Sequence, residues 1–472
     1  MESKTQIAVL GAGPGGYTAA FLAADLGLEV TLIDKELNPG GVCLYRGCIP
    51  SKALLHTAKL INEAKEAGKW GISFGEPKID LNKLRDYKNN VVKKLTDGTG
   101  QLCKQRKIRY VQGVGKYEES QKITVQKSDG TKEVIQYDYS ILATGSVPAE
   151  IPALSIDSPK LWDSTKALEL ESIPDRLLVI GGGYIGMELG SVYASLGSNV
   201  AVVEMLPGIL PGADRDLVRV LQKSLEKSFE KILVNTRIQA IQESDNGLKA
   251  TIIGEDSSKE EEFDRILLSV GRKPITDGLG LENTNVTIND KGFVEVNKKL
   301  QTNDPLVYAI GDIVGGVMLA HKASAEGKVA VESISGKKVA FEPNSIPAVV
   351  FTDPELAWTG ITETEAKQNQ IKHKVARFPW AASGRATTMD RNDGLTKLII
   401  DPETTRLLGM GIVGSGAGEL ISEGVVAIEM SALIKDLALS IHPHPTLSET
   451  IMESAEIFFG QSTHLYRPVR KT

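Results

Sequence analysis

Apolar runs and glycine turns alternate along this chain in a pattern that is used twice. Residues 6–10, Gln-Ile-Ala-Val-Leu, form a short apolar run that predicts a buried strand, followed directly by Gly11-Ala12-Gly13-Pro14-Gly15-Gly16. An Ala/Leu-rich stretch then predicts a helix to about Gly27, and Val30-Thr31-Leu32-Ile33-Asp34 predicts a second strand ending in an acid. Near residue 177 the order recurs: Leu177-Leu178-Val179-Ile180, Gly181-Gly182-Gly183-Tyr184-Ile185-Gly186, a helix to about Gly197, and Val200-Ala201-Val202-Val203-Glu204. Two further runs, Ile141-Leu142-Ala143-Thr144-Gly145 and Ile266-Leu267-Leu268-Ser269-Val270-Gly271-Arg272, end alike and predict strands that return the chain to each unit's own sheet. Strands and helices in this alternation imply two three-layer, mainly parallel α/β domains of the Rossmann type. Proline-rich stretches at 147–159 and around 343–354 suit domain borders.

The glycine spacing carries chemistry. The first glycine makes a tight turn, the second lets backbone approach a pyrophosphate, and the third lets helix pack on strand. Phosphates then meet the unpaired amides of a helix N-terminus. Asp34 and Glu204 each stand 23 positions beyond the first glycine of their unit, where an acid accepts hydrogen bonds from ribose hydroxyls. One such fingerprint is weak and can be only a packed turn. Two complete copies with matched acids predict two bound dinucleotides, at Gly11, Gly13, Gly16 and Asp34, and at Gly181, Gly183, Gly186 and Glu204. The acid at the second site favours NAD, since it repels the extra phosphate of NADP.

Length and composition narrow the class. A chain of 472 residues exceeds one ordinary core, and 41% hydrophobic with 24% charged residues is the balance of a globular protein. A net charge of -6 argues against a nucleic-acid partner. Met1-Glu2-Ser3-Lys4 passes straight into Ile7–Leu10, too short an apolar run for a signal peptide core or a membrane span, so a cytoplasmic protein without a membrane partner is expected. Three cysteines do not make a structural disulfide framework, and in a cytosolic protein a close pair points to catalysis or metal binding.

That pair lies in Gly40-Gly41-Val42-Cys43-Leu44-Tyr45-Arg46-Gly47-Cys48-Ile49-Pro50-Ser51-Lys52. In a regular helix, residues five apart have Cα atoms about 8–9 Å apart, beyond the roughly 7 Å that a disulfide tolerates. If the two sulfurs bond, the segment is bent, and Gly47 gives it that freedom. Pro50 reads as an early-turn residue of a following helix, which sets Cys48 at the helix's positive end and favours its thiolate. Two inert buried thiols are the bland alternative. A zinc half-site is disfavoured, because no second Cys/His pair at ligand spacing appears, and no metal is expected. Cys103 stands alone, in a structural or incidental role. A redox disulfide beside one dinucleotide, with a second dinucleotide site, defines an electron path for which a flavin is the natural middle carrier.

These residues together closely resemble the pyridine nucleotide-disulfide reductases, nearly end to end. Gly-Gly-Val-Cys-Leu-Tyr-Arg-Gly-Cys-Ile-Pro-Ser-Lys is similar to the redox motif of the lipoamide-type members, whereas glutathione reductases typically end it Val-Pro-Lys-Lys. Tyr45-Arg46 departs from the commoner Asn-Val, a change expected to tune the potential without moving the sulfurs. Tyr308-Ala309-Ile310-Gly311-Asp312 and Met318-Leu319-Ala320-His321-Lys322 also match. The resemblance implies two Rossmann-like domains, for FAD and NAD, plus an α+β C-terminal dimerisation domain, divided as 1–150 (FAD and disulfide), 151–280 (NAD), 281–348 (central, completing the FAD site) and 349–472 (interface). It assigns Gly115, Thr144, Gly145, Asp312 and Ala320 to the flavin, Val270 and Gly271 to NAD, and Lys52 to the reacting flavin nitrogen, paired with Glu188. A surface salt bridge is the bland reading of that pair.

In His442-Pro443-His444-Pro445-Thr446-Leu447-Ser448-Glu449 the resemblance makes His444 the base and Glu449 its orienting partner. The bland readings are a structural histidine and a helix capping box, Thr446-x-x-Glu449. By resemblance the C-terminal segment forms a homodimer in which His444 serves the other subunit's disulfide, so monomers are expected to be inactive. The implied activity is NAD-dependent oxidation of dihydrolipoamide. Its partners would be lipoyl groups on acyltransferase or glycine-cleavage carrier proteins, with the chain a peripheral subunit of a 2-oxoacid dehydrogenase complex. Rivals are another disulfide reductase of the same fold, such as a glutathione-reductase-like enzyme, and a flavin-bearing redox sensor or scaffold without turnover. Mercuric and C-terminal-dithiol thioredoxin reductases fit poorly, since the tail to Thr472 has no cysteine pair, and a soluble transhydrogenase generally lacks the Cys43/Cys48 pair.

Overall fold

The first glycine unit folds as β1 (Glu2–Leu10), α1 (Pro14–Asp25) and β2 (Val30–Asp34), with the strands parallel and Ile7 opposite Val30. The computed structural model describes residues 2–255 and 257–466; the tail beyond Tyr466, read above for its lack of a cysteine pair, lies outside the described residues. β1 starts earlier than its apolar run because Glu2–Thr5 pair with Val134–Tyr137 of the strand Lys132–Leu142. Seven strands make this sheet. Its last member is Val307–Ala309, which pairs in parallel with Ser140–Leu142 after the chain has left and built another domain.

Successive strand residues point to opposite faces, so each apolar run supplies two cores. Ile7, Val9, Leu32 and Ile141 face α1 and the helix Ala320–Ile334. Ala8, Leu10, Ile33 and Leu142 face Tyr117, Ile123, Val125 and Ile135, on a meander of Val114–Glu119, Lys122–Gln126 and the start of Lys132–Leu142. α1 and Ala320–Ile334 pack backbone-close, which is why small residues line their contact: a Cβ on Gly327 would lie 2.7 Å from the Gly15 carbonyl oxygen.

The second unit repeats the layers. Five parallel strands run in the order Lys231–Leu233, Asn199–Val203, Arg176–Ile180, Arg265–Leu268, Leu161–Trp162. One face (Leu177, Val179, Val200, Leu267) packs on the helices Tyr184–Leu196 and Arg215–Ser228 through Met187, Val192 and Leu221. The other face (Leu178, Ile180, Ala201, Val203) packs on a meander through Ile241, Ala250 and Phe263. In both units one outer layer is thus antiparallel strands, where a doubly wound fold has helices. The sequence explains this: Lys122–Gln126 and Leu248–Ile253 bury every second residue, the pattern of a strand with one wet face.

Residues 281–348 form no sheet of their own among the described residues; they contribute Val307–Ala309, the turn at Gly311–Val314 and the helix Ala320–Ile334 to the first unit. The C-terminal region is a five-stranded antiparallel sheet, from Ala348–Val350 to Leu407–Gly414, covered by the helices Ala417–Glu429 and Glu449–Phe459. Among the described residues no helix is long and apolar enough to cross a membrane.

Candidate functional site

Both glycine turns have the geometry that dinucleotide binding needs. Gly11 and Gly181 hold φ of +101° and +104°, and a Cβ there would meet the carbonyl oxygens of Ala143 at 2.3 Å and Ser269 at 2.6 Å. Gly16 and Gly186 sit against the turn itself, 1.8 and 2.3 Å from the Gly11 and Gly181 oxygens if given a Cβ. The middle glycines differ. Gly183 has nothing within 4 Å, and Gly13 meets only the Gly41 Cα, at 3.9 Å. Each is the N-cap of its helix without a side-chain cap, so first-turn amides remain open to a phosphate. These cradles fit two dinucleotides.

The acids do more than the spacing suggests. Asp34 accepts hydrogen bonds from the Ala12 amide (2.6 Å) and the Glu36 amide (2.9 Å). Glu204 does the same with Gly182 (2.6 Å) and Leu206 (2.7 Å). Each carboxylate therefore braces its own glycine turn, and only its remaining lone pairs are left for ribose.

Gly11, Gly13, Asp34, Lys52, Thr144, Gly145, Asp312 and Ala320 come together with Cys43 and Cys48 around one cleft. It holds about 1500 Å³ of atom-free space, its open mouth included. Gly115 lies outside it, buried beneath Leu10 and Ile33, where a Cβ would strike Leu10 at 2.6 Å. From the second unit, Tyr184 and Ile185 reach the same cleft. Gly181, Gly183, Gly186 and Glu204 line their own turn, beside Gly271, which has open space around it, and Val270, which packs on the meander.

The cysteines sit on two helices that break between them. α2 (Gly41–Arg46) carries Cys43, Gly47 interrupts with φ −140° and ψ −114°, and α3 (Cys48–Glu66) begins at Cys48. Both are free thiols here. Cys48 is the more open, toward the cleft. Interaction between the two thiols, with the Lys52 ammonium nearby, outweighs burial and holds the Cys48 thiol below the usual range. The same interaction, with burial, pushes Cys43 far above an ordinary thiol. The pair is thus polarised: Cys48 holds the thiolate and Cys43 the proton.

Lys52 meets Glu188 at 2.8 Å, with the Phe351 ring 4.6 Å from the ammonium. The Glu188 side chain is only 4% exposed and also accepts from Ser51 Oγ (3.1 Å) and the Phe351 amide (3.0 Å), so this is no surface salt bridge. It pins α3 to the helix Tyr184–Leu196.

Asp312 is held by residues that spacing alone did not indicate. Ser146 Oγ donates to it, and Arg272 Nε donates to Ser146 Oγ at 2.7 Å. Its turn is fixed by a buried pair, Lys322–Glu326 (2.6 Å), through Lys322 to the Gly315 oxygen and the Gly311 amide to Glu326. Arg272 directly follows the Val270-Gly271 motif, but nothing in the sequence shows that it turns toward residue 312.

His444 and Glu449 form a separate site. His444 Nδ1 lies 2.9 Å from Glu449 Oε1, and the Thr446 amide donates to Glu449 Oε2 at 2.8 Å, so the carboxylate ties the histidine to the loop ahead of the helix; Ser448, not Thr446, is the N-cap there, and no side-chain capping bond is made. Burial opposes its ionisation, but the Thr446 amide and His444 outweigh it and hold its pKa below the usual value. The imidazole is 72% exposed and lines no part of the cleft within its own chain. The C-terminal region also exposes Ile441 (98%), Met430 and Leu439.

A family model described as "Pyridine nucleotide-disulphide oxidoreductase" matches residues 5–327, and one described as its "dimerisation domain" matches residues 346–455. The chain is similar to the dihydrolipoyl dehydrogenase of Vibrio parahaemolyticus, 47% identical over 465 residues and 98% of each chain. It is similar also to that of Haloferax volcanii, 42% identical over 469 residues and again 98% of each. Among solved structures it matches LpdA from Mycobacterium tuberculosis with a TM-score of 0.89 at 26% identity, over 96% of this chain and 99% of that one. A Cu(II) complex of the HOCl-induced flavoprotein disulfide reductase RclA from Escherichia coli matches with a TM-score of 0.86 at 27% identity, over the same shares.

Proposed function

Since the chain belongs to the pyridine nucleotide-disulphide oxidoreductases, we propose that it oxidises dihydrolipoamide to lipoamide and reduces NAD+, the reaction for which its relatives in Vibrio and Haloferax are named. Its cofactors are FAD and NAD(H). The observation that carries the reading is the Cys43/Cys48 pair, set on two helices that break at Gly47 and opening onto the cleft that the first glycine turn and Asp312 line and that Tyr184 and Ile185 reach from the second unit. Residues 1–150 with 281–348 form the flavin half, with Gly11, Gly13, Gly16, Asp34, Lys52, Thr144, Gly145, Asp312 and Ala320 serving it and Gly115 supporting it from behind, packed against Leu10 and Ile33. Residues 151–280 form the NAD half, with Gly181, Gly183, Gly186, Glu204, Val270 and Gly271, and residues 349–472 form the dimer interface.

His444 of the partner subunit deprotonates the substrate dithiol. Glu449 holds the Nδ1 proton, which leaves Nε2 to accept. The substrate thiolate attacks the Cys43 sulfur of the oxidised pair, and Cys48 leaves as the thiolate that its helix end, Cys43 and Lys52 favour. The second substrate thiolate then displaces Cys43, closing lipoamide and leaving the dithiol. When bound, FAD supplies the carrier between this dithiol and the nicotinamide. Lys52, held by Glu188, keeps positive charge beside Cys48 throughout.

Cys48→Ser removes the leaving thiolate but leaves both glycine turns whole. It is expected to abolish NADH formation from dihydrolipoamide while the protein stays yellow, and full activity in this variant would sink the scheme. Steady-state assays with dihydrolipoamide and NAD+ against oxidised glutathione and NADPH separate this reading from the glutathione-reductase-like one. A protein that turns over neither pair would be a sensor. Its place would be in the cytoplasm, as a homodimer acting on lipoyl groups of acyltransferase or glycine-cleavage carrier proteins and forming a peripheral subunit of a 2-oxoacid dehydrogenase complex.

A further inference from the structure

The two residues between the thiols, Tyr45 and Arg46, make contacts that the reaction above does not use. Tyr45 Oη donates to the Asn38 carbonyl (3.0 Å) and accepts from the Asn38 amide (3.1 Å). Its ring edge lies against Gly40, where a Cβ would come within 3.1 Å. The Arg46 guanidinium pairs with Glu36, and both side chains line the cleft. Glu36 is itself fixed, its amide donating to Asp34 and its carbonyl accepting from Tyr110 Oη at 2.8 Å. A continuous run of contacts therefore passes from the first glycine turn (Ala12) through Asp34, Glu36 and Arg46 to Gly47, the hinge beside Cys48. At the matching place in the second unit, which has no thiols, Leu206 keeps the backbone ties, its amide to Glu204 and its carbonyl to the Asn235 amide, but Met205 and Leu206 are exposed and carry no charged side-chain contact.

We infer that Tyr45 and Arg46 are positioning residues that couple the oxidation state of Cys43–Cys48 to the grip of loop 35–40 on the flavin nucleotide. In turnover the pair gains two electrons from the substrate dithiol, which closes to its own disulfide and gives up two protons; NAD+ takes the two electrons with one proton as hydride, and the second proton goes to solvent. Each cycle makes and breaks one S–S bond, which draws the sulfurs to about 2.05 Å. Cys43 rides on α2 and Cys48 on α3, so the break at Gly47 absorbs that movement, and the end of α2 is tied at Tyr45 and Arg46 to the loop that follows Asp34. Coupling of this kind is reciprocal: if one redox state of the pair holds flavin more tightly, bound flavin shifts the thiol potential by the same factor.

The inference rests on the flavin-disulfide reading but not on the identity of the substrate. Its test is FAD release from the holoenzyme, with the thiols first oxidised and then poised as the dithiol in a glutathione buffer, and the midpoint potential of the pair in that buffer. An error in the assigned substrate leaves both readouts intact. Wild-type protein should release FAD at rates that differ between the two states. In Arg46→Val that ratio should collapse toward one, by roughly tenfold, with a matching shift of the potential; Arg46→Lys should restore most of both. Tyr45→Phe, which removes only a hydroxyl, should move both readouts the same way and serves if Arg46→Val does not fold. An unchanged ratio and potential would overturn the inference. Equal acceleration of release in both states at an unchanged potential would also overturn it, by making the two residues a simple strap.

Discussion

At the scale of single residues the site is an arrangement of protons. Cys43 holds one, Cys48 is relieved of one, and Lys52 is the nearby charge that assists after the interaction with Cys43. The thiolate of the reduced protein should therefore appear at lower pH than that of an ordinary thiol. Electron delivery from Cys48 should slow as acid protonates it. Lys52→Met should move the transition upward toward an ordinary thiol, read by ultraviolet thiolate absorbance; an unmoved transition would remove Lys52 from the account. It should also destabilise, by less than the ~3–5 kcal/mol of a fully buried broken pair, because Lys52 is partly exposed and Glu188 keeps two other donors. The thiols were legible in the sequence from their own motif, whereas the pairing of Lys52 with Glu188 came only through resemblance. The burial of Glu188 was not legible, because it depends on Phe351, more than 150 positions further on.

Among elements, the two glycine units were legible almost to the residue, since a turn between strand and helix is a local constraint written in consecutive positions. Their geometry separates binding from folding. Gly183→Ala meets open space and a permitted φ of −75°. It should leave thermal stability nearly unchanged and raise the KM for NAD+. Gly186→Ala meets the Gly181 oxygen and should lower the melting temperature as well; similar melting in both variants would refute the division of roles. What could not be read is the tie between the NAD half and the C-terminal sheet. Lys397, 1% exposed, sits on a buried strand between Glu363 (2.6 Å), Asp214 (2.9 Å) and Asp216 (3.0 Å), groups distant in sequence. Burial opposes ionisation of Glu363, but Lys367 and Lys397 outweigh it and hold its pKa at about 2. A carboxylate depressed on folding stabilises at pH values above its unfolded pKa, and that contribution fades as pH falls through the folded one. Acid should thus loosen this junction between about pH 4.5 and 2, seen as earlier hydrogen exchange in the helix Glu363–Gln368. Lys397→Met should be destabilising already at neutral pH, by ~3 kcal/mol or more.

For the whole molecule the decisive fact is that His444 does not meet the cysteines within one chain. The exposed Ile441, Met430 and Leu439 of the C-terminal region suit a face covered by a second copy. If the sites are shared, two dead proteins can make a live one. Cys48→Ser and His444→Gln protomers, dissociated together and reassembled, should recover about a quarter of wild-type turnover, since each hybrid dimer regains one intact site. No recovery after verified exchange would show that each chain works alone. The sequence pointed to this arrangement only through resemblance, because nothing in the spacing of His444 says which chain's disulfide it faces.

The path of the chain through the first sheet also has a consequence for how the protein is made. Leu142 waits beside an empty edge until Val307–Ala309 arrives to close it, whereas every strand of the second parallel sheet lies between 161 and 268. On a ribosome adding about 5–20 residues per second, the later half is complete first and the earlier half stands open for on the order of ten seconds. During that interval the newborn flavin half has an unpaired strand edge and no Asp312, so synthesis must pass residue 312 of 472, well beyond the end of the NAD half, before the chain can take up its first cofactor.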